Sequence, residues 1–261
     1  MITLDKVGKA YQSRQGTTHA VGEVSLTIEQ GEFVSIVGPS GCGKSTLLKM
    51  VAGLLEPTDG RLHLWRKPVA QLEESGKKMA FVFQSPTLMP WASVQTNVRL
   101  PLDLAGVPRA EADARVTEAL ALVGLSKFAN ALPRALSGGM QMRVSIARGL
   151  VTQPDLLLMD EPFGALDEIT RHKLDADLLD LWRKKKLTVI FVTHSIHEAV
   201  FLSSRVVMMA ARPGRVVEEF RIDAPYPRTA DFMVSPEFSR YAKLLQDSLL
   251  RASVDTEETV A

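Results

Sequence analysis

Gly38-Pro39-Ser40-Gly41-Cys42-Gly43-Lys44-Ser45-Thr46 has the spacing G-x-x-x-x-G-K-[ST]. An apolar run at residues 33–37 precedes it, and Leu47, Leu48, Val51, Leu54 and Leu55 follow at helical spacing. That order predicts a strand, a glycine loop and a helix, the context in which the pattern holds a nucleoside triphosphate. The glycines let backbone N–H groups turn inward around a phosphate without Cβ clashes. The helix start adds roughly half a positive charge. Lys44 is expected to reach the β- and γ-phosphates and the Ser45 hydroxyl to ligate Mg²⁺. A plain glycine-rich turn with a solvated lysine leaves the flanks unexplained.

The chain has 261 residues, enough for one large domain or two modest ones. Hydrophobic residues make up 46% and charged residues 23%, the balance of a globular protein with a sizeable core. A net charge of +1 gives no electrostatic reason to expect nucleic acid or an anionic membrane as main partner. The single cysteine, Cys42, excludes an intrachain disulfide framework and fits a reducing compartment. No apolar run approaches the ~18 residues of a membrane span, and the N-terminus MITLDKVGKAYQ is unlike a signal peptide. The expected location is cytosolic unless another protein carries the chain to a membrane.

Residues 2–11 and 20–28 read as antiparallel strands, and 33–37, 60–65 and 79–84 as further strands. Pro86, Pro90, Pro101 and Pro108 punctuate a helical stretch. One helix carries Ala112, Val116, Ala119, Leu120 and Val123 on one face, with Pro108 in its first turn, and Met140, Val144, Ala147 and Val151 mark another. Strands return at 156–159, 189–192, 205–209 and 215–220, with a helix bearing Leu174, Leu178 and Leu181 between the first two. Strands alternating with helices predict an α/β fold with a mainly parallel core sheet covered on both faces. The expected organisation is a nucleotide-binding core at 1–86 and 154–220 that includes the N-terminal antiparallel strands. A helical insertion at 87–153 and a C-terminal extension at 221–261 complete it. Residues 252–261, polar with three acids, are expected to lack fixed structure.

Leu156-Leu157-Leu158-Met159-Asp160-Glu161 puts two acids where a buried strand emerges at the carboxyl edge of the sheet, the edge at which such sheets place ligands. Asp160 is positioned to bind Mg²⁺ through water, and Glu161 to accept a proton from an attacking water. Leu136-Ser137-Gly138-Gly139-Met140 opens a helix with an N-cap serine and exposed N–H groups. This is either a second anion site or only a capped helix.

Taken together, the three motifs resemble the nucleotide-binding subunit of an ATP-binding cassette (ABC) transporter, whose signature is LSGGQ. Met140 stands where that signature has glutamine, with Gln141 beside it. The resemblance runs from Tyr11 to about Gly214. It implies a P-loop NTPase core, ATP and Mg²⁺ as cofactors, and two copies facing head to tail. Each ATP would lie between the loop of Gly38, Pro39, Ser40, Gly41, Cys42, Gly43, Lys44, Ser45 and Thr46 in one copy and Ser137, Gly138 and Gly139 of the other. By the same resemblance Tyr11 stacks on adenine, although an edge-strand tyrosine reads the same way. Gln84 corresponds to the glutamine that senses Mg²⁺ or water. Asp167, in Gly164-Ala165-Leu166-Asp167, lies in the loop that meets the partner copy or serves only as a helix N-cap. His194, after the strand at 189–192, corresponds to the switch histidine at the γ-phosphate.

Leu88-Met89-Pro90-Trp91, the Met140 variant and Arg212-Pro213-Gly214-Arg215-Val216 resemble the importer branch for nitrate, sulfonate, taurine, bicarbonate or thiamine precursors. That branch implies an ATP-hydrolysing subunit peripheral to the cytoplasmic face of the inner membrane. Its partners would be integral permease subunits and, indirectly, a solute-binding protein, with no nucleic acid. Leu88, Met89 and Trp91 suit a docking pocket for the permease, or the core of the helical insertion. Ser195, His197 and Ser204 stand where relatives commonly carry aspartates, and weaker local packing or charge balance is expected there. Cys42 reads as a small residue in a packed gap or as a thiol activated by the helix start, open to thiol reagents and protected by ATP. Two other readings compete: a soluble ABC-type ATPase or exporter subunit, and a stand-alone P-loop kinase or GTPase. The last leaves Ser137-Gly138-Gly139 unexplained.

Overall fold

The computed structural model describes residues 1–13, 16–164 and 166–258. Along the chain run β1 (Ile2–Ser13), β2 (Gly16–Ile28), β3 (Phe33–Val37), α1 (Lys44–Val51), β4 (Asp59–Leu64) and β5 (Lys67–Pro68). Next come β6 (Met79–Val82), α2 (Val94–Leu104), α3 (Arg109–Leu122), α4 (Gly138–Leu150), β7 (Leu156–Asp160) and α5 (Glu168–Lys185). The last elements are β8 (Thr188–Val192), α6 (Ile196–Leu202), β9 (Arg205–Ala210), β10 (Arg215–Arg221), α7 (Ala230–Met233) and α8 (Pro236–Glu258). The chain divides into two units, Met1–Lys77 with Lys186–Ala261, and Lys78–Lys185.

In the first unit, β3 pairs in parallel with β8 and β9, and β10 closes the order β10-β9-β3-β8 antiparallel to β9. Every residue of β3 and β8 is buried, as continuous apolar runs in a covered parallel sheet require. A second sheet, β2-β1-β4-β5, is antiparallel throughout and alternates buried and exposed side chains in β2 from Val24 to Ile28. Helix α1 packs on β8 and β2, α6 on β3, and α8 on β9 and β10. In the second unit β6 and β7 pair in parallel, α4 packs on β6, and α2, α3 and α4 pack on one another. The α/β class, with mainly parallel strands and an N-terminal antiparallel sheet, is as expected.

Three local expectations change. Helix α1 ends at Val51, short of Leu54 and Leu55. Gly53 takes φ 69° while the Gly53 and Leu54 N–H groups donate to Met50 O and Lys49 O, a glycine-terminated helix end that leaves Leu54 exposed. Pro101 lies inside α2 rather than breaking it, and Pro108 is the N-cap of α3 rather than a first-turn residue. Helix α8 continues to Glu258, across most of the tail expected to lack structure; residues 259–261 lie outside the described residues.

Candidate nucleotide site

In the first unit, buried β3 delivers the chain directly into the glycine loop. Gly41 and Gly43 take φ of 77° and 89°, the left-handed region that glycine enters without penalty. A Cβ on Gly43 would come within 2.7 Å of Ala20 O, and one on Gly38 within 2.4 Å of Met209 O. The loop is therefore threaded between fixed backbones, and only glycine fits. Gly43 is also the N-cap of α1 and offers no side chain to cap it, so the helix start keeps its donors for a ligand. Lys44 is 6% exposed, and its Nζ donates to Gly38 O at 2.8 Å and Pro39 O at 3.1 Å. The ammonium thus folds back across its own loop, which is where an anion would draw it.

Cys42 is buried, and its Sγ lies 3.9 Å from Lys44 Nζ. Burial pushes the thiol pKa up, outweighing the nearby ammonium. The expectation of a thiol activated by the helix start is thus corrected: Cys42 fills a packed gap. Tyr11 lies on β1 with its ring 45% exposed and Lys9 Nζ 5.5 Å from the ring centroid. The ring face is accessible for stacking.

His194 is exposed in the short link between β8 and α6. Thr193 N–H donates to Ile36 O at 3.2 Å, and the Thr193 hydroxyl donates to the buried Glu198 carboxylate. Ser195 caps α6, accepting from Glu198 N–H at 3.3 Å. The Ser204 hydroxyl donates to Phe33 O at 3.1 Å and accepts from Phe33 N–H, and the His197 ring lies 5.6 Å from that of Phe238. These three side chains hold their surroundings together, contrary to the weakened packing expected of them.

In the second unit β7 is buried throughout and ends on Asp160, 6% exposed. Glu161 follows at φ 46°, an unfavourable value for a side-chain-bearing residue and one that clusters at functional positions. Gln84 Nε2 donates to Glu161 Oε2 at 3.2 Å, so the structure brings these two expected site residues together. Ser137 caps α4 and accepts from Met140 N–H at 3.3 Å, with Ser137 and Gly138 exposed. Gln141 does not replace the missing glutamine, because its amide donates to Pro133 O at 3.1 Å and Leu136 O at 3.4 Å. Asp167 caps α5, accepting from Thr170 N–H at 2.9 Å, and that bond holds its carboxyl below the usual range. Ala165, in the same loop, lies outside the described residues.

Two residues without any signal in the sequence fix the loop after Gln84. Arg148 of α4 donates to Pro86 O, Thr87 O and the Thr87 hydroxyl at 2.8–2.9 Å. Asn97 of α2, fully buried, donates to Met89 O, Ala92 O and Ser93 O and accepts from Met89 N–H. Between these anchors Trp91 stands 78% exposed, so it is a surface side chain rather than core. Arg148 reaches back 61 and 62 positions and Asn97 only 4 to 8, but both end on backbone groups, so helical spacing alone carries no trace of either.

The first unit thus presents a glycine loop and a buried lysine, nitrogen donors of the kind that hold phosphates, and the second presents a strand-end aspartate and a glutamate beside an amide. Among the described residues no cluster of three or more His, Cys, Asp or Glu could hold a metal ion by itself. Ser45 in the first unit, and Gln84 and Asp160 in the second, carry hard oxygen atoms of the kind that Mg²⁺ takes.

The sequence pattern of the ABC transporter family matches residues 21–164. The taurine import ATP-binding protein of Rhizobium johnstonii is 47% identical over 245 residues, covering 92% of each chain. The nitrate import ATP-binding protein of Synechococcus elongatus is 40% identical, covering 95% of this chain and 90% of the relative. The aliphatic sulfonates import ATP-binding protein of Bacillus cereus is 38% identical, covering 95% and 99%. Among solved structures, a dimeric ATP-binding cassette in a post-hydrolysis state bound to ADP and Pi matches with a TM-score of 0.78 at 35% identity, covering 86% of this chain and all of the other. With the motifs, their local geometry and these likenesses in agreement, the chain belongs to the ABC transporter family.

Proposed function

We propose that the chain is the ATP-binding and ATP-hydrolysing subunit of an importer, driving uptake of a small nitrate-, sulfonate- or taurine-like solute through a separate membrane permease. The observation that carries the hydrolytic part is the hydrogen bond from Gln84 to Glu161 at the end of β7. A protein that only bound ATP would need the glycine loop but no carboxylate aligned by an amide. The import part rests on the relatives' names, taurine, sulfonate and nitrate import ATP-binding proteins, at 38–47% identity over nearly their whole length.

In this reading the Gly38–Thr46 loop and the start of α1 bind the β- and γ-phosphates, and Lys44 leaves its two loop carbonyls for them. Tyr11 stacks on the adenine. Glu161, aligned by Gln84, accepts a proton from water as it attacks the γ-phosphate, and His194 contacts the departing phosphate. Ser45, Gln84 and Asp160 would hold Mg²⁺, which would supply neutralisation of phosphate charge. Phosphoryl transfer to water depends on in-line positioning and charge neutralisation more than on covalent chemistry. Two copies face head to tail, Ser137, Gly138 and Gly139 of one closing over the nucleotide of the other, with Asp167 at the junction. ATP stabilises the closed pair, and its hydrolysis releases it.

The permease docks near Leu88-Met89-Pro90-Trp91, in the loop that Arg148 holds at Pro86 and Thr87 and Asn97 at Met89, Ala92 and Ser93. The proposed domains are the nucleotide core of 1–86 and 154–220, the helical insertion of 87–153 and the extension of 221–261. The subunit works at the cytoplasmic face of the inner membrane, and a solute-binding protein selects the cargo outside. No helix among the described residues is long and apolar enough to cross a membrane.

The test compares wild-type and Glu161→Gln protein. The variant keeps its ATP affinity and loses hydrolysis by about 10²–10⁴, the usual contribution of a general base. Turnover near wild type removes Glu161 from the role. Uptake of taurine, alkanesulfonate or nitrate into vesicles holding the co-purified permease tests the import part. Hydrolysis that stays uncoupled from every one of these solutes rejects it.

A further inference from the structure

Helix α6 begins two residues after His194 and has only seven residues, far below the ~12–15 at which an isolated helix becomes marginal in water. Its position must therefore come from what packs on it. At its start, Ser195 and the Thr193–Glu198 pair tie it to the end of β8. At its end, where a helix leaves its last carbonyls without partners, Ala199 O accepts from Ser203 N–H, and the carbonyls of residues 200–203 are met from one short segment, residues 226–228. Arg228 Nη1 donates to Val200 O at 2.8 Å, Phe201 O at 3.1 Å and Ser203 O at 2.8 Å. The Tyr226 hydroxyl fills the gap between them, donating to Leu202 O at 3.2 Å.

The clasp is anchored on its own side as well. Arg228 Nη2 donates to Ile222 O at 3.0 Å and Ala224 O at 3.1 Å, joining the extension to itself. The guanidinium is 4% exposed and lies 4.2 Å from the Tyr226 ring centroid and 5.4 Å from that of Phe232. A cation at a helix C-terminus is also favoured by the helix dipole. Burying a guanidinium against carbonyls and rings, rather than leaving it in water, is costly unless its hydrogen bonds are made. That cost is spent at one place: the far end of the helix whose near end carries His194.

We propose that Arg228, with Tyr226, is a positioning residue for hydrolysis: the C-terminal extension clasps the carbonyl end of α6 and so fixes where the His194 link stands at the end of β8. The extension thereby has a role in turnover as well as in packing. The proposal rests on the assignment of His194 to the γ-phosphate. Since β8 is locked into the sheet through β3, the strand end cannot shift, and freedom in α6 passes directly to the His194–Ser195 link. Misplacing a catalytic contact by an ångström can cost ~10²-fold, so a partly loosened clasp is expected to cost about tenfold.

The experiment measures single-turnover ATP hydrolysis and nucleotide affinity in Arg228→Gln, Arg228→Lys, His194→Ala and the Arg228→Gln/His194→Ala double variant. Arg228→Gln is expected to lower the hydrolysis rate about tenfold with ATP affinity within about twofold, and Arg228→Lys to recover part of the loss. In the His194→Ala background Arg228→Gln should cost nothing further, because the residue through which it acts is gone. A merely structural role predicts the same proportional loss in both backgrounds, and that result overturns the proposal. Wild-type turnover in Arg228→Gln beside a slow His194→Ala also overturns it while leaving His194 in place. Wild-type turnover in His194→Ala removes the assignment of His194 and the proposal together. If Arg228→Gln does not fold, Tyr226→Phe, which deletes the bond to Leu202 O and keeps the ring, is expected to give a smaller loss with the same dependence on His194; a Tyr226→Phe loss of equal size with and without His194 overturns the proposal.

Discussion

At the start of α1, Gly41 and Gly43 bend into the left-handed region and Lys44 is buried over its own loop carbonyls. At the start of α4, Gly138 keeps ordinary helical geometry and Ser137 spends its hydroxyl on a cap. A Cβ added at Gly43 would strike Ala20 O at 2.7 Å, whereas one added at Gly138 would meet nothing within 4 Å. One helix start is thus shaped from inside the chain, and its glycines are demanded by neighbours already present. The other has a glycine that nothing in this chain demands. Its small size makes physical sense only if something from outside comes close, which is the role the proposed partner copy's nucleotide would have.

The comparison breaks most visibly at Gly43. Gly43→Ala forces a side chain into φ 89° and against a backbone oxygen, a strain of order 1–3 kcal/mol. ATP affinity should fall by about 10–100-fold in a fluorescence titration, since each 1.4 kcal/mol is tenfold in a binding constant. An unchanged affinity would mean that the loop's shape is not what binds the triphosphate.

Gly138→Ala sharpens the contrast. The added methyl group meets open space, and alanine is the better helix former, so the melting temperature should stay the same or rise. ATP binding by the isolated subunit should be unaffected, while steady-state hydrolysis falls by about tenfold because a methyl group now stands where the phosphates of the opposite copy must approach. Loss of hydrolysis together with loss of folding stability would refute the idea that this glycine serves an outside ligand.

What could be read without coordinates follows the same division. The glycine loop, the strand Leu156–Asp160 and the Ser137 cap are local patterns, in which a few consecutive residues carry the whole physical reason for the structure. Gly53 belongs with them in principle, yet Leu54 and Leu55 continued the apolar period and hid the helix end. Arg148, Asn97 and Arg228 could not have been found this way. Their partners are backbone carbonyls, which every residue possesses, and for Arg148 they lie 61 and 62 positions away. A guanidinium bound to carbonyls leaves no complementary acid in the sequence to betray it. Gln84 was singled out by the family resemblance and Glu161 by the strand end, and only the fold shows that their side chains meet at 3.2 Å.

The smallest effect concerns Cys42, which tests how closed the α1 loop is before any nucleotide arrives. Its thiol is buried and its pKa lies above the ordinary 9.0, so at neutral pH the thiolate fraction is below that of a free cysteine. Because the thiolate is the nucleophile, both burial and protonation slow attack. At pH 7 iodoacetamide should modify the folded protein at least about tenfold more slowly than the guanidinium-unfolded chain, with ATPase activity retained, since reaction waits on local opening of the loop. The rate should rise with pH and level off only at a higher pH than for a free cysteine, and the same linkage has a stability consequence. A group whose pKa is raised by folding contributes stability that is complete below its unfolded value and fades as the pH rises through the folded one. Rapid alkylation at pH 7 would mean a loop that is open and assembles around its ligand, and the difference between the two helix starts would then be one of degree.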